Sequence, residues 1–348
     1  MLKKIWFWIK KFYKILKKLF AQNSDIPSII DTEASIGIIN DKIKLLKGIE
    51  KDSIDVKSYQ KFFNFLEEIG LRKDFDITTT YDESTLYVTL FQPILINSKK
   101  NNKIIIFCHG LTNNRWSLFY TMHLSLQRGY QVVCYDARNH GVSKKTFTTL
   151  GQIESCDLQD IINWLRKNYQ PEKIGLYGFS MGAATCVFWT SYFAGAGNSE
   201  VSFAICESPF DHFDTQWERA LGEGPSYYWK HFLVNKLIKE FLCSSREKLE
   251  KINPYSTLPQ NLPIKLLLLH GLEDGVIGWE SSFKLYSQVK KNQFNKNKIN
   301  LYLCCNADHG ELPFLGDNIP NSLRWKNKNK NSQYTFTNLF CSYLEKNL

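Results

Sequence analysis

One stretch restricts the fold of this chain more than any other. In residues 173–185, KIGLYGFSMGAAT, an uncharged apolar run passes through a G-x-S-x-G pentapeptide into small residues suited to a helix. A serine that acts as a nucleophile must stand clear of the backbone at the tip of a sharp strand-to-helix turn, which tolerates no bulk two residues to either side. Gly178 and Gly182 occupy those positions around Ser180. The next backbone N–H, that of Met181, falls at a helix N-terminus and can face a developing oxyanion. A glycine-rich turn that merely contains a serine would read the same way, so the weight of the pentapeptide depends on its surroundings.

Those surroundings alternate between two periods. Apolar runs at 103–108, 131–135, 174–177, 201–206, 264–269 and 299–304 read as strands; amphipathic stretches at 116–128, 154–168, 181–193, 279–289 and 333–345 read as helices. Strands that are apolar almost throughout must be covered on both faces, which implies a mostly parallel central sheet flanked by helices, an α/β fold. Before this rhythm starts, alternation at 77–81 and 86–91 around Asp82, Glu83 and Ser84 predicts a hairpin. Helical patterns at 41–51 and 56–69, the second closed by Gly70, are placed within a segment of linker and N-terminal helices spanning 21–76. The rhythm breaks again at about 209–263, a stretch rich in aromatic residues (among them Phe210, Trp217, Tyr228 and Trp229) that reads as a helical lid inserted above the strand ends. The main domain is thus assigned to 77–348.

The first twenty residues hold seven lysines and no acid, so a net charge of +10 falls to +3 over the remainder of the chain. On a helical wheel Lys3, Lys4, Lys10, Lys11, Lys14, Lys17 and Lys18 gather on one arc, and Trp6, Trp8, Phe12 and Tyr13 are available for a headgroup region. This basic amphipathic helix at 1–20 suits an anionic membrane surface, or alternatively docking on the protein's own body. Its uninterrupted apolar run, from Ile5 to Ile9, is far short of the roughly 20 residues that span a bilayer. Because the charge excess is terminal, it does not form a nucleic-acid-binding face. Nine cysteines without a C-x-x-C pair, most of them within apolar runs, read as buried thiols of a reducing compartment. The expected location is the cytoplasm, peripheral to the inner face of the cell membrane.

In a sheet of this kind, chemistry collects at the C-terminal ends of the strands. The motifs found there are HGLTNNR at 109–115, YDARNHGVS at 135–143, GFSMG at 178–182, ESPF at 207–210, HGLEDGVI at 270–277 and DHGE at 308–311. A serine hydroxyl needs a base to take its proton, and the base needs a carboxylate to fix its tautomer. Ser180, Asp274 and His309 supply these three groups in the chain order Ser, Asp, His.

On these motifs the chain resembles the α/β-hydrolase superfamily, and within it the bacterial serine-aminopeptidase-like or lysophospholipase-like branch. The resemblance covers about residues 77–348. It implies Ser180 as nucleophile, His309 as general base and acid, Asp274 as the orienting carboxylate, and an oxyanion hole made by the N–H groups of Leu111 and Met181. It implies acyl transfer to Ser180 followed by hydrolysis, with no metal or organic cofactor. Glu273 is the alternative acid, disfavoured by the HG-x-x-D spacing. His109, His140 and His270 are read as shaping turns, and Asp308 as a loop carboxylate.

The leading functional expectation is hydrolysis of acyl esters, including lipid-like ones such as a lysophospholipid or monoacylglycerol. Thioester hydrolysis uses the same triad. So does an aminopeptidase, for which Glu207, Asp211 or Asp214 would have to receive the substrate's amino group. A binding protein on a catalytically silent frame is the alternative of another class, and the intact set of three residues speaks against it.

Overall fold

The computed structural model describes residues 56–93, 100, 102–195, 197–212, 253–295, 297–305, 307–314, 325–326 and 335–348. The expected basic helix at 1–20, the expected helix at 41–51 and the greater part of the expected lid lie outside the described residues. No helix among the described residues is long and apolar enough to cross a membrane.

Nine strands form one sheet in the order β1-β2-β4-β3-β5-β6-β7-β8-β9. They are β1 (Arg72–Thr78), β2 (Thr85–Phe91), β3 (Lys103–Cys108), β4 (Gln131–Tyr135), β5 (Lys173–Phe179), β6 (Val201–Glu207), β7 (Lys265–Gly271), β8 (Ile299–Cys304) and the two-residue β9 (Trp325–Lys326). Strands β3 to β8 pair in parallel, whereas β1, β2 and β9 join antiparallel at the two edges. Successive residues of β3 show why the apolar runs are unbroken. Ile104, Ile106 and Cys108 enter one core, with Leu158, Ile161 and Leu165 of α3 (Gln152–Tyr169), Ala184 and Val187 of α4 (Met181–Tyr192), and Leu285 of α6 (Trp279–Lys290). Ile105 and Phe107 enter the other core, with Phe63 of α1 (Val56–Glu68), Met122 of α2 (Phe119–Gln127), and Phe340 of α7 (Phe336–Asn347). A short α5 (Pro254–Thr257) lies between β6 and β7 in sequence. Cys108, Cys134, Cys186 and Cys206 sit fully inside these cores, where burial pushes the Cys134 thiol well above its ordinary pKa.

Some element boundaries differ from the expectation. Strand β1 starts at Arg72, five residues before the expected Ile77, because an edge strand with one solvated face carries Arg72, Lys73, Asp74 and Asp76 without the apolar alternation that marks a strand. Helix α1, close to the expected 56–69, packs on the sheet: Phe63 and Leu66 are buried and the Phe63 ring lies against Phe91 at 5.1 Å. Helix α3 also starts earlier than expected, at Gln152, because Glu154 folds back to accept from the Gly151 N–H at 2.8 Å.

Two polar clusters hold the loops over this sheet. Arg138, in the loop after β4, is fully buried; it donates twice to Asp157 of α3 (2.7 Å each) and reaches Asp82 of the β1–β2 turn at 3.0 Å. Further along, the Tyr255 N–H donates to the Asp211 carbonyl at 3.2 Å and the Tyr255 ring stacks on His212 at 5.7 Å. Residues 211–212 and 253–255, which flank the greater part of the expected lid in sequence, thus lie side by side.

Candidate active site

Strand β3 leads to its neighbour β4 on one side, and the chain then returns as β5 on the other side. The loops leaving β3 and β5 run to helices on opposite faces, α2 and α4, and open a crevice at the strand ends. Ser180 stands at this crevice, with φ +55° and ψ −115°. Its N–H donates to the Glu207 carbonyl at 2.8 Å, which ties the turn to β6. A Cβ on Gly178 would come within 2.2 Å of the Gly182 carbonyl oxygen, and one on Gly182 within 2.0 Å of that of Cys108. Both positions therefore exclude side chains, as the pentapeptide requires.

The three residues that the chain order singled out converge. His309 Nε2 lies 3.1 Å from Ser180 Oγ, and His309 Nδ1 donates to Asp274 Oδ2 at 2.8 Å. The Phe179 ring packs against the imidazole, 4.8 Å between centroids. Asp274 is fully buried, and each of its oxygens is multiply bonded. Oδ1 accepts from the Val276 and Ile277 N–H groups at 3.0 and 2.8 Å; Oδ2 accepts from Ser208 Oγ at 2.8 Å in addition to His309, with His270 Nε2 at 3.3 Å. Burial alone would raise the Asp274 pKa, but the His309 charge and the donors from His270 and His309 outweigh it and hold the carboxyl well below the usual range. Glu273 is exposed, its N–H donating to the Ala307 carbonyl at 3.1 Å, so of the two adjacent acids it is Asp274 that meets His309.

Met181 is the first residue of α4, where N–H groups have no partner within the helix, and Leu111 lies in the turn three residues beyond the end of the adjoining strand β3. His109 shapes this first loop as expected. Its Nε2 accepts from the Ala137 N–H at 2.9 Å and its Nδ1 donates to the Gly110 carbonyl at 2.7 Å, while burial, with the His140 ring beside it, pulls its pKa down to about 4. His140 Nδ1 faces the Arg138 carbonyl at 2.8 Å. Among the described residues no group of three or more His, Cys, Asp or Glu is arranged to hold a metal ion.

Three residues have larger parts than the sequence suggested. His270 does more than shape a turn: it touches Asp274, while its Nε2–H also meets the Ile277 carbonyl at 2.9 Å and its Nδ1 faces Ser282 Oγ at 2.7 Å. Asp308 spans two loops, with Oδ1 accepting from the Gly275 N–H at 2.9 Å and from the His309 N–H at 2.6 Å. Ser208 lies in the ESPF motif, but a serine after a strand carries no signal of what it bonds, and the sequence assigns it no role. Two carboxylates considered for an amino group are committed elsewhere. Glu207 is fully buried and bonded to the Tyr177 hydroxyl, and Asp211 is fully buried, with Ser281 Oγ at 2.7 Å and Lys284 Nζ at 2.9 Å. Asp214 lies outside the described residues.

Comparison with known proteins agrees with this architecture. Residues 103–233 match the family model described as alpha/beta hydrolase fold. The uncharacterized protein YqkD of Bacillus subtilis is 30% identical over 210 residues, a match that covers 59% of this chain and spans 64% of that protein's length. Among solved structures, an esterase of Pyrococcus furiosus superposes with a TM-score of 0.54 at 25% identity, over 70% of this chain and 85% of that one. An acylaminoacyl peptidase of Pyrococcus horikoshii superposes with a TM-score of 0.55 over 80% of this chain and 42% of that one, and at 17% identity it shares the fold alone. Strand order, the serine turn between two excluded side chains, and the family match lead to one assignment: the chain has the α/β-hydrolase fold.

Proposed function

We propose that the protein is a serine hydrolase that cleaves acyl esters, with Ser180 as nucleophile, His309 as general base and acid, and Asp274 as the orienting carboxylate. The observation that carries this reading is the unbroken relay from Ser180 Oγ through both ring nitrogens of His309 to Asp274, at 3.1 and 2.8 Å. His309 takes the serine proton as Ser180 attacks the acyl carbonyl, and returns it to the departing alcohol. The N–H groups of Met181 and Leu111 receive the oxyanion. Water then attacks the acyl-enzyme with His309 again as base. A fluorophosphonate probe tests this directly: the expected adduct is on the peptide containing Ser180 and is lost in Ser180→Ala. An adduct on another serine, or labelling that survives the substitution, sinks the assignment, and complete inertness favours a binding protein on a silent frame.

Ester hydrolysis is favoured over aminopeptidase action because Glu207 and Asp211, two of the three carboxylates considered for an amino group, are engaged inside the domain. The class of ester is proposed to be lipid-like, presented at a membrane to which residues 1–20 attach. Support for attachment comes from the seven lysines on one face of that segment, each adding about 1 kcal/mol near an anionic leaflet. The full chain is expected to sediment with phosphatidylserine-containing vesicles at low salt and to be released at high salt. Substituting the seven lysines by glutamine is expected to abolish binding; binding that persists would assign the helix to the protein's own surface.

A further inference from the structure

We propose that Ser208 is a positioning residue of the triad, whose hydroxyl fixes and shares the Asp274 oxygen that His309 uses. The proposal rests on the triad reading above and extends it to a residue outside the three.

Ser208 immediately follows β6 and is buried, 1% exposed. Its backbone has φ +50°, in the left-handed region that side chains other than glycine's rarely enter, and it precedes Pro209, which further restricts it toward extended conformations. Glycine would adopt this φ without strain. A side chain is nevertheless present, and its hydroxyl has a definite use: it donates to Asp274 Oδ2 at 2.8 Å. The strained backbone is clamped by the Ser208 N–H, which donates to the Leu269 carbonyl of β7 at 2.8 Å. The end of β6 is thereby locked to β7, the strand that leads into the Asp274 loop. Strain retained at one buried residue beside a reacting group points to positioning.

The shared oxygen determines what the hydroxyl does. Asp274 Oδ2 accepts from Ser208 and from His309 Nδ1, both at 2.8 Å. Each donor draws on the same negative charge, so the hydroxyl both keeps the carboxylate from turning and moderates its hold on the imidazolium. Removing it leaves more of that charge for His309, which then retains its proton to higher pH. The other ionisable side chains on the elements around His309 are His270 and Glu273 from β7 and its loop, Asp308 and Glu311 from its own loop, and Glu207 from the end of β6. None of these is altered by substituting Ser208.

The test compares Ser208→Ala with Ser208→Gly in the full chain, using p-nitrophenyl butyrate. Both variants lack the hydroxyl, but only glycine relieves the backbone, so Ser208→Gly is expected to melt about 2 °C above Ser208→Ala. If the hydroxyl positions Asp274, kcat falls about tenfold in both with KM unchanged, and the acid limb of kcat/KM moves up by about half a pH unit to one unit in both. A purely structural role predicts an unmoved acid limb and activity that follows the melting temperature. Either of those results, with Asp274→Asn inactive in the same assay, overturns the proposal and leaves the triad standing. An Asp274→Asn variant with wild-type kcat overturns both.

Discussion

Asparagine in place of Asp274 is expected to lower kcat on p-nitrophenyl esters about ten-thousandfold, with little change in the melting temperature of the sheet. The reason is a conflict of donors. Asp274 Oδ1 receives two backbone N–H groups, and Oδ2 receives His309 and Ser208. An amide has a single acceptor oxygen. Held at the Oδ1 position by Val276 and Ile277, it presents its NH2 to His309 Nδ1, which must then give up its proton and become an acceptor. The remaining ring proton moves to Nε2, 3.1 Å from Ser180 Oγ, where a lone pair is required. The imidazole remains in place in the wrong tautomer. Glu273→Gln, a change to the exposed neighbouring acid, is the control and is expected to keep kcat within about twofold. Equal losses in the two variants would remove Asp274 from its proposed role.

The second large effect concerns folding. Arg138→Met is expected to cost about 3–5 kcal/mol of stability at pH 7, because it removes the cation from a buried cluster but leaves the anions. Asp157 is fully buried, and burial lifts its pKa to about 6 even though Arg138 opposes the shift. Asp82, the other partner, is partly exposed and is held below its ordinary range, because its hydrogen bonds and Arg138 outweigh the upward push of burial. Methionine keeps a long apolar stem but also gives up the guanidinium's contacts with the Tyr81 and Phe147 rings, 5.6 and 5.5 Å away. The loss should shrink on acidification. A carboxyl whose folded pKa lies above its unfolded value binds its proton more tightly in the fold, so its burden on stability grows as pH rises from about 4 through 6. Without Arg138 that upward shift is larger, and a proton on Asp157 relieves more. Urea unfolding at pH 7 and pH 5 measures the gap between wild type and variant; an unchanged gap would mean that Asp157 carries no unsatisfied charge.

What the sequence disclosed follows from what each residue had to satisfy. Strands β3 to β7 were legible because both faces are buried, and burial on both faces leaves an apolar run that hardly any other element produces; β8, half-buried, keeps only a shorter apolar signal. The serine turn was legible because two backbones approach so closely at Gly178 and Gly182 that the glycines are obligatory. Strand β1 was half hidden, since its solvated face carries charge and its partner β2 alone defines it. The helix of residues 116–128 began late, at Phe119, because Asn114 Oδ1 caps the Trp116 N–H at 3.0 Å and keeps the preceding residues in turns. The candidate triad could be ordered but not joined, because contacts over 35 and 129 residues of sequence exist only once the sheet has closed. The parts played by Ser208 and Asp308 were invisible for the same reason: the motifs ESPF and DHGE contain them, but each role is defined by a partner across a loop.

The hydrogen bond between Tyr255 and Asp211 bears on how such a chain can change over time. The described residues on either side of 213–252 meet at one place that is fastened to the domain through Ser281 and Lys284. A cassette inserted at such a root can be lengthened, shortened or replaced whole without altering the register of any strand below it. Variation between those two ends is then uncoupled from the sheet, whose strand ends, and the side chains they carry, are fixed by pairings elsewhere.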